Sequence, residues 1–182
     1  MSPRRKVFDS TLPNFVTITV HNWIDIFTRQ IYRDILFDSI NYCQKHKGLR
    51  VYGWCLMTNH IHLLITSEKL SIPETVRDLK KYTAKKIFKE ISENRRESRR
   101  AWLLNQFAFA GTLSKQQFKF WKDGYYPTEC AYHSIFKQKL DYIHYNPVKA
   151  GFVLEPEHWL FSSARAYAGF GGVPVETSVV DV

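Results

Sequence analysis

Cysteine is scarce in this sequence: the three residues, Cys43, Cys55 and Cys130, are odd in number, far apart and never in a CxxC pair. That excludes a disulfide framework and a cysteine-built zinc site, and it fits reduced core thiols in a cytoplasmic protein. Long apolar runs are missing too. No segment approaches the roughly 18 uncharged apolar residues of a membrane span, so a membrane is not expected as partner. Arg4, Arg5 and Lys6 have no apolar stretch behind them, so a secretory leader is not expected either. HExxH is absent, which removes the zinc hydrolases that need its general-base carboxylate. Also absent is the basic–glycine–aromatic–glycine/alanine–phenylalanine signature of RNA-recognition sheets. There is no internal repeat.

Positive charge is plentiful. Lys and Arg number 26 against 17 Asp and Glu, a formal net charge of +9 over 182 residues. A basic chain of this length fits a single domain with a polyanionic partner, nucleic acid before membrane. Residues 1–170 are expected to form that domain. Residues 171–182, with Pro174 and Val175 among them, read as a flexible tail.

Hydrophobic periodicity orders the elements. Asn14 to His21 reads as a strand, with Phe15, Val16, Ile18 and Val20. Three- and four-residue steps predict a helix over 29–45, stopped by Gly48. Two apolar runs, 51–57 and 60–66, are separated only by Thr58 and Asn59, which predicts a tight hairpin. A second helix starts near Ser71, where Ser71 and Glu74 have capping-box spacing and Pro73 suits the first turn. Its inner face is Val76, Leu79, Thr83, Ile87 and Ile91. Further on, 102–109 predicts a short helix, 117–121 a strand, and 128–145 a helix ending before Asn146-Pro147. The charged stretch 92–113 has no assigned role. Strand, helix, strand, strand, helix, strand is the split βαβ order. The expected fold is therefore α+β and ferredoxin-like: an antiparallel sheet with helices on one face, plus an additional C-terminal helix bearing Tyr142.

Two constellations suggest chemistry. His60 and His62 are two apart in a strand, so both imidazoles share a face, opposite Ile61, Leu63 and Ile65. They are either a bidentate metal chelate or a pair of surface histidines. Tyr142 and Asn146 are four apart at the end of a helix, off its apolar face. That sets a phenol beside an amide oxygen able to act as a hard metal ligand; packing roles would explain them as well.

The segment from Gly53 to Ile65, containing Asn59-His60-Ile61-His62, resembles the histidine–hydrophobic–histidine hairpin of the HUH nucleases. Asp141-Tyr142-Ile143-His144-Tyr145-Asn146-Pro147-Val148 resembles the tyrosine helix of the single-tyrosine transposases. The branch in view is the REP-associated tyrosine transposases, relatives of the IS200-like transposases, and His158 to Arg165 is similar to it as well. The resemblance implies His60, His62 and Asn146 as metal ligands and Tyr142 as nucleophile. It implies Mg²⁺ or Mn²⁺ as cofactor and single-stranded or hairpin DNA as substrate, cut and rejoined through a 5′-phosphotyrosine. It leaves open monomer or homodimer. It also leaves open an alternative: a domesticated hairpin-DNA-binding protein that does not mobilise itself. Lys80, Lys81, Lys85 and Lys86, with Arg4, Arg5 and Lys6, are candidate phosphate contacts. Phe118, Phe120, Trp121 and Tyr125 are candidates for stacking on bases.

Overall fold

A computed structural model describes residue 7 and residues 9–181. Arg4, Arg5 and Lys6 therefore lie outside the described residues. In chain order the elements are β1 (Asn14–Thr19), α1 (Gln30–Lys47), β2 (Leu49–Leu56), β3 (His60–Ser67), α2 (Ile72–Glu93), α3 (Arg100–Leu113), β4 (Thr128–Glu129), α4 (His133–Lys149) and α5 (Ala164–Tyr167). Single 3₁₀ turns sit at His21–Trp23 and Pro156–His158. The sheet order is β2-β3-β1-β4, with every neighbouring pair antiparallel, as the split βαβ reading expects. Among the described residues, no helix is long and apolar enough to cross a membrane.

Alternation along the strands builds two cores. Val16, Ile18, Ile61, Leu63 and Ile65 pack under α1 and α2 with Leu36, Ile40, Val76 and Leu79. Ser71 caps α2 through a reciprocal capping box with Glu74, and the predicted inner face of that helix is buried throughout. Gly48 ends α1 in the left-handed region, φ 71°.

The opposite face is not free along its whole length. Tyrosine helix α4 lies across it and packs Phe136, Leu140 and Ile143 on Phe15, Cys55 and Leu64. Gly53 permits this approach: a Cβ there would stand 2.6 Å from Leu140 Cδ1. Among the described residues, the end of that face bearing His60 lines an open cleft.

Four expectations change. Residues 117–121 do not form a strand; Trp121 makes an isolated bridge to Val20, the residue after β1, and the segment continues irregularly. The fourth strand is instead Thr128–Glu129, paired with Asn14 and Phe15. That pairing takes the residues expected to start the last helix, so α4 begins at His133, with exposed Tyr132 as its N-cap. α4 then runs through Asn146-Pro147 to Lys149, because the buried Pro147 packs well enough to override the local bias before proline. The short helix expected at 102–109 extends over 14 residues.

The flexible tail is the fourth correction. Val175 is fully buried, Trp54 Nε1 donates to Thr177 Oγ1 at 3.1 Å, and Ser178 N donates to the Val51 carbonyl at 2.8 Å. Residues 161–163 cover the next stretch of the same β2 edge, through Leu56 N to the Phe161 carbonyl and Ser163 N to the Trp54 carbonyl. Together they hide an edge strand that would otherwise invite pairing with other chains. Removing two buried methyl groups by Val175→Ala is expected to lower stability by about 2 kcal/mol in denaturant titration. A change within about 0.5 kcal/mol, as for a surface site, would mean that the tail is not packed.

Candidate active site

β3 aligns His60 and His62, and the register sets Thr19 and Thr17 of β1 opposite them. The imidazoles are held from behind. Asp25 Oδ1 accepts from Thr58 Oγ1 at 2.5 Å and from Asn59 Nδ2 at 2.8 Å. This turns the Asn59 carboxamide oxygen toward His60 Nδ1, 2.7 Å away. A carboxamide oxygen only accepts, so the network assigns the His60 proton to Nδ1 and leaves a lone pair on Nε2. His62 Nδ1 is 2.8 Å from Thr17 Oγ1. His62 Nε2 is 3.1 Å from His60 Nε2 and 3.1 Å from Asn146 Nδ2.

An amide nitrogen only donates. With Asn146 Nδ2 against it, His62 Nε2 also presents a lone pair, facing that of His60 at 3.1 Å. Two opposed lone pairs repel unless a cation lies between them. Burial is the main cause that lowers His60 to a pKa of about 4, opposed by Asp25. Burial, then His60 and Lys139, lower His62 to about 3. Both rings are thus neutral at pH 7, the form that ligates metals.

The donor set fits a divalent ion. Adjacent ligands about 2.1 Å from a metal, at right angles, stand about 3.0 Å apart. The observed 3.1 Å spacings match that, and turning the Asn146 amide over would place its oxygen where the nitrogen now sits. Among the described residues, no three His, Cys, Asp or Glu side chains cluster, and the further side chain that could offer a donor beside the two imidazoles is the Asn146 amide. Two imidazoles and one amide suit Mn²⁺ and accommodate Mg²⁺.

Tyr142 projects beside this group. Its ring meets His62 edge-on at 5.2 Å and Phe15 at 5.7 Å, and the residue is 39% exposed. Lys139 and Lys149 place their ammonium groups 5.9 and 5.6 Å from its ring centre. Tyr142, Asn146, His60 and His62 share one cleft of about 410 Å³ with Trp23, Lys122 and Tyr126. Tyr145 is exposed and does not line this cleft.

The four residues singled out by sequence therefore converge. The expected phosphate contacts do so only in part. Lys80 is committed to structure: its Nζ donates to the Lys122 and Gly124 carbonyls at 2.8 and 2.9 Å, and burial lowers its pKa to about 8. Lys81 and Lys85 line a groove that reaches Lys122, whereas Lys86 lines a different one between α1 and α2. The aromatic candidates at 118–121 are structural too. Phe118 stacks on Phe88 at 4.1 Å, Phe120 is buried, and Trp121 Nε1 donates to Thr83 Oγ1.

Sequence reasoning missed Thr17, Asp25 and Asn59. Only Thr17 left a signal, as the strand position facing His62. The unassigned stretch 92–113 acquires a role here. Buried Glu97 accepts from Tyr32 Oη at 3.1 Å and pairs with Arg29 and Arg99, and Arg99 Nη1 donates to the Asp25 carbonyl. The turn before α3 thus braces the residue that orients Asn59.

No curated protein matches the sequence. Among solved structures, a REP-associated tyrosine transposase bound to a REP hairpin is similar at 19% identity and TM-score 0.66, over 100% of this chain and 95% of that one. At this identity the likeness shows the fold. A candidate transposase from Deinococcus radiodurans R1 is 20% identical with TM-score 0.44, over 79% of this chain and 95% of its own. The family profile "Transposase IS200 like" matches residues 15–118, more than half of the chain and the half that contains the histidine hairpin. With that match, the chain belongs to the IS200-like tyrosine transposases, which are HUH nucleases.

Proposed function

We propose that this chain is a metal-dependent single-stranded DNA endonuclease and strand transferase, with Tyr142 as nucleophile. One observation carries the reading: His60 Nε2, His62 Nε2 and the Asn146 amide converge within 3.1 Å steps, beside the ring of Tyr142. The family profile ends before α4, so the roles of Tyr142 and Asn146 rest on this geometry and on the resemblance of their helix.

His60, His62 and Asn146 would hold the divalent ion. When bound, it supplies Lewis-acid stabilisation of charge on the scissile phosphate. Tyr142 Oη attacks phosphorus, and the bond to the 3′-oxygen breaks. The phenol proton passes to solvent, and the leaving oxygen gains one to become a 3′-hydroxyl. The 5′-phosphotyrosine left behind is close in energy to the phosphodiester it replaces. A second 3′-hydroxyl can therefore reverse the step and join strands without ATP. Lys139 and Lys149 stand where they balance phosphate charge around Tyr142. The REP hairpin bound by the similar transposase supports a hairpin-flanked single strand as substrate here too. The compact domain assigned to residues 1–170 would include the whole site, with the packed segment 171–181 bracing the far edge of the sheet.

The test is incubation with labelled single-stranded oligonucleotides from the flanks of the gene, with Mn²⁺, Mg²⁺ or EDTA, followed by a denaturing gel. A metal-dependent protein–DNA adduct is the expected result. Binding with neither adduct nor nick would sink the proposal.

Asn59→Ala deletes the acceptor that fixes the His60 tautomer. It is expected to raise the Mn²⁺ concentration for half-maximal cleavage about 10- to 100-fold, with the saturated rate nearly unchanged. An unaltered metal requirement in a metal titration would show that Asn59 does not tune His60.

A further inference from the structure

Two exposed aromatic residues line the cleft without serving the metal or the nucleophile. Trp23 is 54% exposed and Tyr126 is 61% exposed. Both have non-glycine backbones in the left-handed region, at φ 57° and 47°, and Asn22 before Trp23 sits there too, at 55°. Such strain persists only where surrounding structure enforces it, and it collects at functional clamps.

The enforcement is visible. Val20 N donates to the Asn59 carbonyl, His21 N to the Phe120 carbonyl and Phe27 N to the Thr58 carbonyl, while Val20, Ile26 and Phe27 are buried. The turn carrying Trp23 is therefore bolted to the histidine hairpin, and the Trp23 ring reaches His60 edge-on at 5.5 Å. On the other side, Thr17 N donates to the Tyr125 carbonyl at 2.9 Å, and Lys80 grips the carbonyls of Lys122 and Gly124. These bonds hold Tyr126 and Lys122 at the cleft, with Lys122 Nζ 5.8 Å from the centre of the Trp23 ring.

A core has no use for rings left this exposed, and the backbone does not adopt these angles unforced. A rigid, exposed ring beside a cation matches a nucleotide: base against ring, phosphate against ammonium. We propose that Trp23 and Tyr126 stack on unpaired bases flanking the scissile phosphate, with Lys122 holding an adjacent phosphate. This rests on the single-strand reading above and deepens it. The site would select strands whose bases are unpaired at the cut, because a base inside a duplex has both faces covered by its stacked neighbours.

The test measures binding without cutting. Tyr142→Phe protein in EDTA is titrated with the same labelled hairpin-flanked single strands, alone and with Trp23→Gly or Tyr126→Gly added. Each glycine removes a ring and relieves a strained backbone. Each is expected to weaken binding by roughly 5- to 150-fold while leaving the melting temperature unchanged or higher. Trp23→Phe is expected to restore most of the affinity. Oligonucleotides with one abasic position are then scanned. At the position that Trp23 contacts, Trp23→Gly is expected to cause no further loss. Unchanged binding by both glycine variants, losses equal on every abasic strand, or a lowered melting temperature that accounts for the weaker binding would each overturn the stacking role. The adduct assay judges the cutting chemistry separately, so failure there leaves this measurement standing.

Discussion

Tyr142→Phe is expected to abolish the protein–DNA adduct and to lower strand cleavage by about 10⁴-fold or more, the scale on which other enzymes lose their nucleophile. The change deletes one oxygen. The ring keeps its edge contacts with His62 and Phe15, and Lys139 and Lys149 keep their places around it. Tyr142 is 39% exposed on the open side of α4, while that helix is anchored by Phe136, Leu140 and Ile143 on its buried side. Folding, metal binding and DNA affinity should therefore stay near those of the parent. That combination separates a nucleophile from a packing tyrosine, whose loss would appear in stability. Tyr145→Phe is the matched control, because Tyr145 lies one helical turn away and faces solvent. An adduct that survives Tyr142→Phe but not Tyr145→Phe would transfer the role to Tyr145.

The parts of this site legible in sequence depend on local periodicity. A two-residue step in a strand necessarily puts His60 and His62 on one face. A four-residue step in a helix sets Tyr142 near Asn146, and burial of Leu140 and Ile143 fixes which way that helix rolls. Ser71, Pro73 and Glu74 announced α2 for the same reason, because a capping box is satisfied within four residues. What stayed hidden depends on paths between distant segments. The Asp25–Asn59–His60 chain needs the turn after β1 to meet the hairpin, which no spacing encodes. Lys80 looked like its neighbours Lys81 and Lys85 on a basic helix face, and only the route of residues 122–124 makes it a strut. The aromatic run at 118–121 has strand composition, yet its rings serve the core beneath α2 and α3, and the sheet edge goes to Thr128–Glu129 instead. Pro147 misled because a local preference of the residue before proline was outweighed by burial within α4.

Substitutions at the proposed metal ligands give the second large effect and carry opposite signs at one position. His60→Ala removes one of the three proposed protein donors, and cleavage with physiological Mg²⁺ or Mn²⁺ is expected to fall more than about 100-fold, beyond the loss from disturbing a residue behind a ligand. His60 is the cleaner choice than His62, which is buried and hydrogen-bonded to Thr17, so that its loss would also strip a partner from β1. Asn146 distinguishes ligand from spectator. In the hydrogen-bonded arrangement its nitrogen donates to His62 Nε2 at 3.1 Å. If that donation were its purpose, Asn146→Asp would set a carboxylate against a lone pair, and stability and activity would fall together. If Asn146 supplies an oxygen to the metal, aspartate supplies a harder and charged one. Asn146→Asp should then bind Mn²⁺ at least as tightly as the parent, whereas Asn146→Ala binds it at least about tenfold more weakly. Mn²⁺ titration followed by electron paramagnetic resonance reads this directly, without DNA. Tighter binding for aspartate with weaker binding for alanine supports an oxygen ligand. Equal weakening in both variants would remove Asn146 from the metal site and leave two histidines to hold the ion with solvent and phosphate.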